Sequence, residues 1–500
     1  MTVETGTPPA RRTGRASRAG AVLLTAAAVL AAGAPPGAAA DGTAALTPAA
    51  VDAFVTGYLD ANGVPGAVVA VTEGERVVRV AGYGHDSTGA PMTADSPVPV
   101  ASMSKSFTAM SVMRLVEEGS VALDAPVVEY LPEFRVADSR GDEITVRQLL
   151  DHTSGLSDTT FPEKSGPLPA TLEERVAQLG EVEPAAAPGT RYSYHNPNYA
   201  VAARLVEVVG GEPFADRLES DVFAPLGMDD STTVGDLRDA PEVPRGHVLM
   251  YGGAVAADEP SWFLDGSSGV VTTADDLAEW LVLHATGHPR SGTGPVSPDT
   301  LAAMRAPGEG AAGEADAGLG WNLEGAGAGH GGWLFTYTSQ QIVLPESGHG
   351  IAVVLNGGLN TGGVEARVVA EGLAELAEGG APEVGPPVLA IVDGVMALLT
   401  LAAAALGAAA VLRAPRWAAA RARGPVRRLV LASAPHLLPL ALLAGLHPIA
   451  EFVFNGRDAS WWQLLHVTPT VVVWLVTGSL AGLAAVGARA RHAARVRRSR

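Results

Sequence analysis

Residues 98–110 read VPVASMSKSFTAM and contain Lys105, one of only two lysines in a chain of 500 residues with 34 basic side chains. A short extended piece, Val98-Pro99-Val100, gives way to a helical period from about Ser104 to Glu118, with Met110, Val112, Met113, Leu115 and Val116 on the apolar side. Ser102 and Lys105 are three residues apart, so a helix starting near Ser102 stacks them on one face. The helix dipole and burial both disfavour an ammonium, lowering it from about 10.4. Arginine could not serve, because it stays charged. A tunable amine beside a hydroxyl suits an activated serine nucleophile. Alone, the same spacing also fits an N-cap serine followed by a surface lysine.

Working outward, Pro48–Ala61 has the pattern of an amphipathic helix. GAVVAVTEGERVVRVAGYG (66–84) reads as strand, turn, strand, with Glu73-Gly74-Glu75 at the turn. Residues 125–260 are rich in Pro and Gly with helical pieces such as Tyr199–Val209, and a further helix is expected over Thr273–His284. Ala306–Ala317 is a low-complexity loop. Strand patterns return from Gly318, notably QQIVLPESGHGIAVVLNGG (340–358), before a helix over Gly363–Glu378. Strands at both ends with helices between them predict an α/β (α+β) fold: one sheet built from both ends, and a separate helical lobe.

Two more stretches carry chemistry. GTRYSYHNPNYAVAARLVE (189–207) contains Tyr194-His195-Asn196. A phenol near a cationic amine can ionise below its usual value near 10 and act as a base, and Asn196 can orient a substrate amide. GAGHGGWLFTYTSQQIVLP (327–345) contains His330-Gly331-Gly332-Trp333, expected at the start of a strand. Its glycines would let a substrate backbone approach, and the Trp333 and Ser102 N–H groups could form an oxyanion hole. The plainer reading is a glycine-rich turn before an edge strand.

Ser-x-x-Lys, Tyr-x-Asn and His-x-Gly in this order resemble the serine β-lactamase and DD-peptidase superfamily, in its class C-like, esterase-like branch. LLDHTSGLSD (149–158), SSGVVTTADDLAEWL (267–281) and GLGW (318–321) read the same way, so the resemblance covers most of 45–378. It implies an antiparallel sheet flanked by helices plus an all-helical lobe, with Ser102 at the cleft between them. It also implies Ser102 as acylated nucleophile, Lys105 as its proton partner and Tyr194 as general base and leaving-group acid. Asn196, His330, Gly332 and Trp333 would bind substrate, with no metal and no cofactor. The chain departs from that pattern at His330, where penicillin-recognising members usually have Lys, and at Gly331, usually Thr. A neutral imidazole is a weaker carboxylate anchor, which favours an esterase or peptidase over an efficient β-lactamase.

The ends have a different character. Residues 1–40 carry Arg11, Arg12, Arg15 and Arg18, an apolar stretch over Ala19–Ala34, and Ala38-Ala39-Ala40, the form of a signal peptide. The hydrolase domain is expected over 41–380 and a linker over 381–387. The remainder, 388–500, has apolar runs at about 388–412, 429–449 and 464–487, each long enough to span a bilayer. The formal net charge of −19 hides an asymmetry: residues 41–387 hold 17 basic and 49 acidic groups, and 388–500 hold 13 and 3. Arginines cluster between the first two runs (Arg413–Arg428) and at the C-terminus, whereas the loop near Glu451–Trp462 has only Arg457. The positive-inside rule therefore predicts a multi-pass protein of the plasma membrane with a cytoplasmic C-terminus and an extracytoplasmic catalytic domain. Asp393, His436, His447 and His466 lie in or beside the runs, where interior packing or an interfacial position is the expectation.

Composition excludes other classes. Without cysteine there is no thiol nucleophile, disulfide scaffold or thiolate metal site, and a pI near 5.0 argues against nucleic-acid binding. A Ser-His-Asp triad through His152 or His330 lacks a Gly-x-Ser-x-Gly elbow, and no H-E-x-x-H marks a metal hydrolase. The expected partners are a small-molecule or peptide substrate outside the cell and the lipid bilayer. The rival function is a slow-turnover or non-catalytic receptor for β-lactams or wall fragments.

Overall fold

The computed structural model describes residues 46–499 apart from 291, 309–316, 325–326, 359–363 and 454–455. The N-terminal segment expected to be a signal peptide and most of the low-complexity loop lie outside the described residues.

Six strands form the main sheet: β1 (Gly66–Glu73), β2 (Arg76–Gly84), β3 (Asn322–Glu324), β4 (Gly327–Trp333), β5 (Thr338–Leu344) and β6 (His349–Leu355). Their order is β2-β1-β6-β5-β4-β3, antiparallel throughout. The sheet is thus assembled from two segments far apart in the chain, residues 66–84 and 322–355, as expected. Alternation along β1 explains how it is covered. Ala67, Val69 and Val71 face the core formed with α1 (Pro48–Asn62) and Ala366–Ala377, while Val68 and Ala70 face the larger core with Ser104–Glu117 and Ala274–Thr286. A strand buried on both faces needs apolar residues at every position, and GAVVAV supplies them.

The helical lobe occupies the middle of the chain. Pro197–Gly210 is its central helix, begun by Pro197 and ended at Gly211 in the left-handed conformation. The lobe region also carries a hairpin, Gly246–Met250 with Gly253–Ala257, and a three-stranded patch that holds Val98–Pro99 beside Val270–Thr272. This patch fixes the approach to Ser102. Ala101–Met103 forms one 3-10 turn leading straight into Ser104–Glu117, and Ala101 adopts a φ of 50°, a costly conformation for a residue with a Cβ.

Among the described residues, three C-terminal helices are long and apolar enough to cross a bilayer: Val388–Arg421, Val426–Ala444 and Pro469–Arg498. The second is interrupted by a 3-10 turn at Ala434–Leu437, and Pro469 starts the third after a break at Thr468. Leu398, Leu401, Leu406 and Leu412 stay exposed on the first, a surface suited to lipid. The first and third helices pack closely, with Gly407 against Ala481 so tightly that no Cβ fits between them.

The apolar C-terminal segment also touches the region that bears the main sheet. The Asp393 carboxylate accepts a hydrogen bond from Gly252 N (3.1 Å), and His466 Nε2 lies 3.1 Å from Asp258 O. These two ionisable groups therefore serve the seam between the two regions. In the loop before the third helix, Asp458 accepts from Lys164 N (3.2 Å) and Ser165 N (2.6 Å), and Arg457 Nε lies 2.8 Å from Asp158.

Candidate active site

The 3-10 turn and the helix after it bring Ser102 and Lys105 together as the spacing predicts. Lys105 is fully buried, and its Nζ donates to Asn196 Oδ1 (2.9 Å) and Ser267 O (2.9 Å) and lies 3.1 Å from Ser102 Oγ. Burial is the main cause lowering its ammonium to about 7, against the opposing field of Glu163. The partner chemistry is informative. Asn196 Oδ1 and Ser267 O can only accept, so they retain two N–H bonds in either charge state. Ser102 alone can reverse the direction of its bond. When Lys105 is neutral, its lone pair is left for the Ser102 O–H.

Tyr194 lies over the same amine, its ring centroid 4.9 Å from Lys105 Nζ, and its phenol interacts with the Ser102 hydroxyl. The expected lowering of the phenol does not occur. Burial dominates and raises Tyr194 above its ordinary value, with the Ser102 bond and Arg457 opposing it only in part. Its resting form is the neutral phenol, a proton donor.

His330-Gly331-Gly332-Trp333 falls at the C-terminal end of β4, not at the start of a strand. β3 pairs only with Gly327–Gly329, so β4 has no outer neighbour from His330 onward among the described residues. Gly332 has a role that the sequence did not suggest. A Cβ there would meet Ser339 Oγ at 2.1 Å and Val100 O at 2.3 Å, so the missing side chain lets the strand approach the Ser102 turn. His330 is buried, which lowers its imidazole to about 3, and its Nδ1 lies 2.7 Å from Gly331 O. It is neutral at physiological pH, as the sequence reading supposed. Trp333 joins Ser102, Tyr194, Asn196 and His330 around one cavity of about 300 Å³.

The remaining histidines do not form a triad. His152, in the left-handed region at φ 60°, accepts from His195 N at its Nδ1 (3.2 Å) and packs its ring on Tyr194 at 4.4 Å. His195 pairs with Asp158 at 2.7 Å. Both hold the Tyr194 segment in place. No cluster suited to a metal ion occurs among the described residues.

Three residues near the reacting atoms escaped sequence reasoning. Ser267 acts through its carbonyl, which no side-chain pattern reveals. Glu163 is buried and accepts from Asn196 Nδ2 (3.1 Å), a contact made across 33 residues of chain. Arg457 reaches the cavity from the apolar C-terminal segment.

A family model described as Beta-lactamase matches residues 51–374. The chain belongs to the beta-lactamase family. As a member it is a serine hydrolase, and the matched span holds Ser102, Lys105, Tyr194, Asn196 and His330. Penicillin-binding protein 4 of Amycolatopsis lactamdurans is 32% identical over 351 residues, covering 65% of this chain and 89% of that protein. Esterase EstB of Burkholderia gladioli is 31% identical, covering 60% and 82%. Among solved structures, the octameric penicillin-binding protein homologue from Pyrococcus abyssi superposes with a TM-score of 0.57 at 26% identity, covering 68% of this chain and 79% of that one. The beta-lactamase-family match ends before Val388, so Arg457 belongs to a part of the chain that the family model does not cover.

Proposed function

We propose that this beta-lactamase-family chain is a membrane-anchored, extracytoplasmic hydrolase that acts on esters or D-amino-acid peptides through an acyl-enzyme on Ser102. The observation that carries this reading is the hydrogen-bond set of Lys105: two acceptor-only partners and one reversible one, Ser102. Neutral Lys105 takes the Ser102 proton as Oγ attacks the substrate carbonyl. Tyr194, a phenol at rest, then protonates the leaving group. The Ser102 and Trp333 N–H groups receive the oxyanion, and the open edge of β4 beyond His330 receives substrate backbone. Asn196 holds Lys105 in place as well as facing the cavity. With His330 neutral, the site suits ester and peptide substrates better than rapid β-lactam turnover. Similarity to proteins named as an esterase and a penicillin-binding protein is consistent with that choice.

Turnover of p-nitrophenyl esters and D-alanyl-D-alanine peptides by the full chain in detergent tests the reading, with nitrocefin hydrolysis expected to be the slowest. Failure on all three substrate classes would refute it.

The arginine distribution supports this orientation, and the contact of the Arg457 loop with the catalytic region favours both lying on one side of the bilayer. The chain has no cysteine, so single replacements give clean labels. In intact cells Ser139→Cys is expected to react with a membrane-impermeant maleimide, and Ser499→Cys only after permeabilisation. The opposite pattern would invert the topology.

A further inference from the structure

The cavity above Ser102 is lined by three cations: Arg367 is paired with Glu365 and Glu371, whereas Lys164 and Arg457 are each placed where a charge is costly without a purpose. Lys164 is the only lysine in the chain besides Lys105. Its Nζ lies 5.3 Å from the Trp262 ring and 5.7 Å from the rings of Trp333 and Phe335. No carboxylate is within ion-pair distance of it among the described residues. Arg457 lines the same cavity, with its guanidinium carbon 5.2 Å from the Tyr194 ring centroid. Its Nε is committed to Asp158, and one terminal nitrogen lies 3.5 Å from Tyr194 O, which leaves other N–H donors of this cavity-lining side chain uncommitted among the described residues. The residues 41–387 that build most of the site are strongly acidic overall, so two cations converging on one cavity run against the local composition.

Arg457 is held there by a built contact. Asp458 accepts from the backbone N–H groups of Lys164 and Ser165, which joins the loop before the third apolar helix to the segment bearing Lys164. Gly456, at φ +85°, makes the turn against Thr159 that directs the loop inward. The same loop therefore positions both cations.

We propose that Lys164 and Arg457 form an anion subsite that selects substrates bearing a carboxylate, and that the C-terminal membrane segment completes the active site by supplying half of it. The inference rests on the reading of Ser102 as the nucleophile. It adds that the neighbouring region, outside the family match, determines which acyl substrates enter. A planar guanidinium and a partly desolvated ammonium lining one cavity suit a carboxylate, whose two oxygens can be shared between them. His330, being neutral, does not compete for it.

The test uses the full chain in detergent and two matched pairs of esters. Mono-p-nitrophenyl glutarate and its methyl ester differ only by a charge on the acyl side. 4-Carboxyphenyl butyrate and its methyl ester differ only by a charge on the leaving-group side. Arg457→Gln and Lys164→Gln are each expected to lower kcat/KM at least about tenfold for the acid of one pair, chiefly through KM. The corresponding methyl ester should change less than about threefold, and Arg457→Lys should recover part of the loss. The responding pair identifies the side on which the carboxylate binds. Equal losses for acid and ester, or no loss for either acid, would overturn the subsite. Calorimetric binding of the same acids to Ser102→Ala, with and without Arg457→Gln, decides the subsite independently of turnover. Full hydrolysis by Ser102→Ala would refute the nucleophile and leave that binding result standing.

Discussion

Ser102→Ala is expected to lower turnover of an activated ester by about four to six orders of magnitude and to abolish the covalent adduct with a fluorophosphonate probe. The size follows from the geometry. Lys105 and Tyr194 both converge on the Ser102 hydroxyl, so removing it leaves a base and an acid with nothing to act on. The fold should be spared, because the Ser102 side chain makes its hydrogen bonds only within this trio, and Lys105 retains Asn196 and Ser267. Intact-protein mass spectrometry reads the adduct, and its lifetime separates two functions. Release within seconds fits a hydrolase, whereas an adduct stable for hours fits a receptor. Ester turnover near the wild-type rate in Ser102→Ala would sink the mechanism.

The second large effect belongs to Lys105. Lys105→Arg is expected to lower kcat/KM by about three orders of magnitude, because guanidinium keeps its proton and cannot accept one from Ser102. In the wild-type chain kcat/KM should fall as pH drops through about 7, since below that value Lys105 is an ammonium with no lone pair to offer. The sign is set by burial, which favours the neutral amine. A pH profile without an acid limb near 7 would assign the base elsewhere. Lys105→Met has a second consequence, leaving Asn196 Oδ1 and Ser267 O without their donor in a buried site. A stability loss of about 1–3 kcal/mol for each such acceptor is expected, measured by denaturant unfolding beside activity.

Much of the fold was legible because it follows from local periodicity. The two-sided apolar run of β1 and the helical period after Ser104 each announce their element, and the apolar C-terminal runs announce theirs. The breaks at Ala434–Leu437 and Thr468 were less legible, because hydropathy alone does not locate where proline interrupts a helix. At the site, Ser102, Lys105, Tyr194, Asn196 and His330 were all legible as residue types; all but the fully buried Lys105 line one cavity. What misled was environment. The phenol of Tyr194 was expected to ionise readily beside an amine, but its burial outweighs the nearby cations. Gly332 was read as room for substrate, whereas its missing Cβ admits the backbone before Ser102.

The sequence by itself brought Ser102 and Lys105 onto one helix face and determined the class of fold and the three apolar runs long enough to cross a bilayer, because spacing and periodicity are properties of neighbouring residues. Tertiary structure alone decided the resting state of Tyr194 and the reach of Arg457. Proton affinity depends on how much water is excluded from around a group. The meeting of Arg457 with Ser102 depends on two segments more than 350 residues apart folding against each other.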